Sequence, residues 1–312
     1  MARAGRSPKR KGAMERRLLN KARILEHPHG GQVFRRASSR SITPDIMVSP
    51  SPKLRYNRRL VDFVLWFEQA IMRWGISDLV YFIVAGPLAL VLHCIFFIKH
   101  GVEIRGRENV PPRGTGFFLL CNHISKAEAP VIAAWLYPRP FWFPSKAEFY
   151  KGWVTGFFWQ LFTAVHTFPV RRGERDMKAV GLMKELLQRG KNVLLFPEGT
   201  RSTDGELQPG KRGVGMIVHQ AQPLVLPVYV RGFAEQWPTG HMLPLLSAPS
   251  SLISFGKPMD LSKYWDQELS RDVAQAIVDE VMVEIARLKA EVEEQEAPAE
   301  AGATEHQGGD ET

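Results

Sequence analysis

Two hydrophobic patterns divide the chain near residue 100. Beyond it, short apolar runs of strand length alternate with stretches whose apolar residues recur at helical spacing. GVEIRGRENVP reads as a strand and turn, and GTGFFLLCNH as a buried strand. Residues 128–136 read as a helix, FWFPSK (141–146) as a strand, 150–165 as an aromatic-rich helix and HTFPV (166–170) as a short strand. In ERDMKAVGLMKELLQRG, the residues Met177, Val180, Met183 and Leu187 recur at helical spacing, with Gly190 as the stop. NVLLFPEG, PLVLPVYV and LISFGKPM add three buried strands. Residues 271–292 set Val273, Ile277, Val281, Ile285 and Leu288 along one helical face, which suits a packing helix. Uninterrupted apolar strands between helices predict an α/β fold, a mostly central β-sheet flanked by helices.

Before residue 100 the pattern is different. LVDFVLWFEQAIMRWGI (60–76) is apolar on most turns and carries Trp66 and Trp74, which suit a headgroup boundary. It is followed by LVYFIVAGPLALVLHCIFFI (79–98), twenty residues without a formal charge, ended by Lys99-His100. As a helix this run would cover about 30 Å, the thickness of a hydrocarbon core. Gly86-Pro87 lies mid-segment and predicts a kink or a split. A full crossing and a shallow hairpin entering one leaflet both fit. Residues 60–99 are therefore expected to form a membrane-associated helical segment ahead of the α/β domain.

Charge sharpens these boundaries. The 312-residue chain carries a net +9, but residues 1–60 hold sixteen Lys/Arg against three acids, so the remainder is net negative. Residues 289–312 hold eight acids against Lys289 alone. The expected organisation is a disordered basic arm over 1–59, the membrane segment over 60–99, a catalytic domain over 100–290 and a disordered acidic tail over 291–312. Within the arm, MERRLLNKARIL (14–25) could form a basic amphipathic helix suited to an anionic lipid surface. Nucleic-acid binding is the competing use of such an arm. No aromatic platform or reading motif accompanies it, so no nucleic-acid partner is expected. No apolar run follows the early charges, so the start does not read as a signal peptide. Cys94 and Cys121 form no disulfide framework and show no metal-ligand spacing. A domain facing the cytoplasm is expected.

Three polar constellations follow strands. Directly after FFLLC the chain presents Asn122-His123-Ile124-Ser125-Lys126-Ala127-Glu128. Histidine suits proton transfer near neutral pH, and a carboxylate on its far nitrogen fixes the tautomer. A spacing of five is poor on one helix face, so the pair should meet across a strand-to-helix turn. FPEGTRS (196–202) ends another strand with a permissive glycine, backbone N–H groups and Arg201, which can hold a phosphate in a fork. Gly210-Lys211-Arg212-Gly213 adds cations downstream, without the spacing of a nucleotide P-loop. PVRRGERD (169–176) brings Arg171, Arg172 and Arg175 off a short strand, where they could join Arg201 around an anionic head group. Taken singly, each constellation is also compatible with a turn carrying surface charge.

In this order the blocks NHISKAE, TFPVRR, FPEGTRS and VLPVYVRG resemble the glycerolipid acyltransferase family typified by lysophosphatidic-acid acyltransferase. The resemblance covers about residues 100–260, and FPEGTRS is its most specific part. It implies that His123 is the base on an acceptor hydroxyl and that Glu128 orients it. It also implies that Arg172 and Arg201 bind the acceptor phosphate, with Glu198, Gly199 and Thr200 shaping that site. Asn122, Lys146, Arg171 and Lys211 would support it. Two departures stand out: Glu128 replaces the family's usual Asp, and Arg171 stands where an Asp often precedes the arginine. The reaction implied moves a fatty acyl chain from acyl-CoA or acyl-carrier protein to a lysophospholipid, most simply lysophosphatidic acid. It needs no metal and no cofactor besides the donor. Backbone N–H groups near Gly199 would meet the oxyanion. The expected partners are the two substrates and membrane lipid, with acyl-carrier protein as one form of donor. The expected place is the cytoplasmic face of a cell inner membrane or plasma membrane. Another lyso-lipid or an aminoacyl lipid as acceptor, and a catalytically weak scaffold of the same fold, are the alternatives.

Overall fold

A computed structural model of the chain describes residues 57–305, apart from 155, 157–165, 172–175, 239–240, 242–243 and 246. The basic arm, with its helix expected at 14–25, lies outside the described residues, as does most of the helix expected at 150–165.

The expected strands form one seven-stranded sheet. They are β1 (Glu103–Arg105), β2 (Phe118–Cys121), β3 (Phe141–Lys146), β4 (Thr167–Val170), β5 (Asn192–Leu195), β6 (Val225–Arg231) and β7 (Leu252–Phe255), in the order β1-β7-β6-β2-β5-β3-β4. β6, β2, β5, β3 and β4 run parallel, while β7 pairs antiparallel with β6 and carries β1 beside it. β2 is central, with Phe118 in register with Val193 of β5 on one side and Val225 of β6 on the other. Alternation along β2 feeds both faces: Phe118 and Leu120 enter one core cluster, Phe117, Leu119 and Cys121 the other. That is why the run reads as uniformly apolar.

One face is covered by α1 (Arg58–Arg73), α4 (Met177–Gln188), α5 (Arg212–Ala221) and α7 (Arg271–Glu305). The other is covered by α2 (Ser77–Leu92), its π-helical continuation His93–Lys99, and α3 (Glu128–Leu136). A single turn, α6 (Phe233–Gln236), follows β6.

Four expectations need correction. The helix is not split at Gly86-Pro87; α2 runs through Pro87. Ala85 and Ala89 are buried, and a Cβ on Gly86 would fall 2.9 Å from the Tyr137 hydroxyl. This close packing, with the Tyr137 hydroxyl donating to the Phe82 carbonyl at 3.4 Å, holds the turn that proline would weaken. In α4, Met177 is exposed, and the buried stripe is Ala179, Leu182, Met183, Leu186 and Leu187. The first turn overhangs the core, where Asp176 caps the Ala179 N–H. The acidic tail does not begin at 291: α7 continues to Glu305. Val292 is buried, Glu291 pairs with Arg287, Glu293 with Lys289, and Glu296 with Arg105 and Arg231. These acids therefore have cations one helical turn away or on neighbouring strands. Residues 306–312 lie outside the described residues. Finally, the strand-like reading of 166–170 starts one residue early, since His166 precedes β4.

Tyr81–Lys99 is long and apolar enough to cross a membrane by length and composition. One face of it, Tyr81, Ala85, Ala89, Leu92 and Phe96, is buried against the protein. The opposite face exposes Phe82, Ile83, Leu90, Val91 and Ile98.

Candidate active site

β2 and β5 are parallel neighbours, so their C-terminal ends open at the same edge of the sheet. β2 there delivers Asn122 and His123; β5 delivers Phe196 to Ser202. Seventy-five residues apart in sequence, His123 and Glu198 thereby meet. The crevice outside the carboxyl ends of parallel strands is where ligands collect in such sheets.

The turn after β2 is held from three sides. The Asn122 amide donates to the Val230 carbonyl at 2.9 Å and accepts from the Val230 N–H at 2.7 Å, tying the turn to β6. Glu128 is the first residue of α3 and is fully buried. Its Oε1 accepts from the Ile124 N–H at 2.7 Å and from the Ser125 N–H. Its Oε2 lies 3.2 Å from His123 Nδ1. The pair thus meets across a strand-to-helix turn. The extra methylene relative to Asp lets one carboxylate reach back over that turn, cap two N–H groups and still touch the imidazole. With Nδ1 donating to Glu128, Nε2 is the nitrogen able to accept a proton.

The loop after β5 supplies the third side. The Phe196 ring stacks on the His123 imidazole with centroids 3.9 Å apart and planes 10° apart. Glu198 Oε1 accepts from the His123 N–H at 3.3 Å, and the Ser202 N–H donates to the His123 carbonyl at 2.7 Å. Glu198 is 1% exposed. Burial pushes its carboxyl up to about 7, against the pull of the His123 and Gln208 N–H groups, and the Glu128 carboxylate adds to the rise. Burial, then Glu128 and Glu198, also drives the Cys121 thiol well above its ordinary value, which suits an inert core residue.

Gly199 has φ +70°, a left-handed conformation that favours glycine. A Cβ there would fall 3.2 Å from Lys211 Cγ, so the Lys211 stem packs across the motif. The Lys211 N–H donates to the Pro197 carbonyl at 2.7 Å. The Gly199 N–H donates to the Phe196 carbonyl at 3.0 Å, so this particular amide is engaged within its own turn and does not offer itself to an oxyanion. Thr200 is exposed and Arg201 half-buried at the rim.

Lys146 and Arg171 open at the same edge, but farther along. β3 pairs with β5 only through Phe141 and Trp142, and with β4 through Phe143–Lys146. Arg171 is buried, and its guanidinium donates to Asp62 on α1 at 2.7 Å. Its N–H donates to Asp176 at 2.9 Å. The extra cation expected to enrich the head-group site is therefore balanced by a carboxylate from an N-terminal helix. Arg172 lies outside the described residues. Among the described residues, no cluster of three or more His, Cys, Asp or Glu side chains could hold a metal ion.

Two contributors were not singled out from the sequence. Phe196 was read as the end of a strand; its place beneath the imidazole needs the β2–β5 pairing. Lys126 lies within the His123 motif, and its position three residues after the histidine was the available signal. Its ammonium sits 4.7 Å from the Trp237 ring and donates to the His241 carbonyl. Partial burial and the nearby Arg201 hold it below the usual lysine value.

A family model described as Acyltransferase matches residues 101–231. A 1-acyl-sn-glycerol-3-phosphate acyltransferase of Chlamydomonas reinhardtii is 32% identical over 140 residues, 45% of this chain and 41% of that protein. The enzyme of that name from Bacillus subtilis is 26% identical over 165 residues, 52% of this chain and 79% of its own length. A lyso-ornithine lipid O-acyltransferase of Pseudomonas aeruginosa is 36% identical over 88 residues, 28% of this chain and 31% of that protein. Among solved structures, the 1-acyl-sn-glycerophosphate acyltransferase of Thermotoga maritima aligns with a TM-score of 0.47 at 21% identity, over 73% of this chain and 95% of that one. The match to the Chlamydomonas relative thus spans about two fifths of its length. The matched residues 101–231 carry both the His123 and FPEGTRS motifs, so it is this part of the chain that is similar to the acyltransferase family.

Proposed function

We propose that this chain is an enzyme that moves a fatty acyl group from a thioester donor, acyl-CoA or acyl-carrier protein, to the hydroxyl of a lysophospholipid. The acceptor we assign is lysophosphatidic acid, giving phosphatidic acid in phospholipid synthesis. The observation that carries this reading is the buried Glu128–His123 pair at the β2–β5 edge, with the Arg201 loop packed against it. His123 Nε2 takes the proton of the acceptor hydroxyl as its oxygen attacks the thioester carbonyl. The tetrahedral intermediate collapses, the C–S bond breaks, and the leaving thiolate takes the proton back from the imidazolium. Glu128 holds the ring and stabilises its transient charge. Arg201, with Arg172, binds the acceptor phosphate, and Lys126 and Lys211 add positive charge at the rim.

The apolar helix over 77–99 attaches the enzyme to a membrane, at its cytoplasmic face. Because one face of that helix packs along the domain, the exposed face is the part that meets lipid, in one leaflet rather than across both. Lysophospholipid dissolved in that leaflet then reaches the site laterally.

A second reading keeps the reaction and changes the acceptor to a lyso-aminoacyl lipid. It is favoured by the 36% identity to the lyso-ornithine lipid enzyme. The test is purified protein incubated with labelled acyl-CoA or acyl-carrier protein and a panel of lysophospholipids with acidic, zwitterionic and ornithine-type head groups. Transfer to lysophosphatidic acid above all others is expected. Preference for the ornithine lipid would establish the second reading, and no transfer from either donor to any acceptor would overturn both.

A further inference from the structure

FPEGTRS is implied by resemblance to shape an acceptor-phosphate site, and Glu198 was grouped there with Arg201. The geometry points to a different division of labour. We propose that Glu198 is a positioning residue for the general base: it holds the His123 backbone and not the acceptor phosphate. This rests on the acyl-transfer reading above and deepens it.

Three observations carry the inference. Glu198 is buried at 1% exposure, whereas a group that meets a phosphate must line the open site. Its Oε1 accepts from the His123 N–H, while the Ser202 N–H, four residues on, donates to the His123 carbonyl. The loop therefore grips both polar ends of the residue that carries the imidazole. Phe196, from the same loop, stacks on the imidazole face and completes the grip. The other carboxyl oxygen, Oε2, is buried and makes no hydrogen bond. That arrangement suits a neutral acid, whose one useful atom is an acceptor aimed at a peptide N–H. Arg201, three residues later and half-buried at the rim, is left as the loop's contribution to the acceptor.

Positioning and phosphate binding separate in kinetics. A base displaced by a fraction of an ångström lowers turnover without weakening the hold on the acceptor. Glu198→Ala is expected to lower kcat about a hundredfold with the acceptor KM changed less than about threefold. Glu198→Gln, which keeps a neutral acceptor of the same length, is expected to restore most of that loss. Arg201→Ala should instead raise the acceptor KM. A rise in acceptor KM with kcat retained in Glu198→Ala would overturn the proposal, as would a folded Glu198→Gln as impaired as the alanine variant.

A second readout does not depend on acyl transfer. In full-length protein labelled at histidine, the NMR resonances of the His123 ring are expected to shift in Glu198→Ala and to return towards wild-type in Glu198→Gln. A His123 signal and titration identical in all three proteins would overturn the inference. If the wild-type enzyme transfers no acyl group yet the His123 signal responds as expected, the reaction assignment fails and the positioning role stands.

Discussion

Two regions built from strand ends that look alike in sequence, each a cation-bearing turn after an apolar run, serve different purposes. After β2 and β5 the polar groups turn inward: the Glu128, Glu198 and Phe196 side chains and the Ser202 N–H all converge on one histidine. After β4, the buried Arg171 is taken up by Asp62 on α1 instead. The same helix buries Leu60, Val61, Val64 and Leu65 in the core and exposes Phe63 and Trp66. Polar residues are assigned by the neighbours that pairing brings, so the β2–β5 edge becomes a site while the β4 end becomes a joint to the N-terminal helices.

The sharpest way to break this contrast is at Glu128. Glu128→Gln leaves the packing but offers the imidazole an amide, which can present the wrong tautomer; kcat should fall about a thousandfold. Steady-state assays of transfer, with folding checked by circular dichroism, measure it. Glu128→Asp is the milder cut. The shorter side chain cannot cap the Ile124 and Ser125 N–H groups and reach Nδ1 together, so activity should fall about tenfold despite the gain of the family's usual residue. A gain in activity would show that the turn relaxes around the shorter acid.

On the other side of the comparison, Asp62→Asn should act on stability and leave the reaction nearly intact. Arg171 and Lys178 both donate to Asp62 and, against its partial burial, hold its carboxyl below the usual range. Because Asp62 is partly exposed and its ion pairs are screened by solvent, replacing the charge should cost about 1 kcal/mol in denaturant titration, with kcat within about twofold. A large rise in acceptor KM would instead place the Asp62–Arg171 pair in head-group binding.

A further stability effect expected is a pH slope. The Glu198 carboxyl stands at about 7 in the folded protein against its ordinary 4.5, so between these values the native state holds a proton that the unfolded chain has released. Stability therefore falls as pH rises through that window, by at most about 3 kcal/mol from this group, and levels off above it. Glu198→Gln should flatten the slope. Unfolding free energies measured on either side of the window test it.

Much of this architecture can be read from the chain because it is written in local periodicity. The helix at 128–136 and the strand at 141–146 occupy the expected residues, since each has its own pattern of burial. The His123–Glu128 pair was also legible as a contact across a turn, because both residues flank one turn. What escaped needs contacts distant in sequence. Gly86-Pro87 looks like a break until Tyr137 is seen packed against it. Glu291, Glu293 and Glu296 look like a solvated tail until Arg105, Arg231, Arg287 and Lys289 are placed beside them. Arg171 reads as one more phosphate ligand until α1 folds back with Asp62. Glu198's hold on the His123 N–H depends on β2 and β5 being neighbours, which no local pattern records.

The most direct test of the central claim is a parallel measurement of acyl transfer by wild-type protein and His123→Ala, both confirmed as folded, with labelled acyl-CoA and lysophosphatidic acid in lipid vesicles. The account predicts transfer by the wild type and a loss of at least about a thousandfold in the variant. Equal transfer by the two proteins would contradict it.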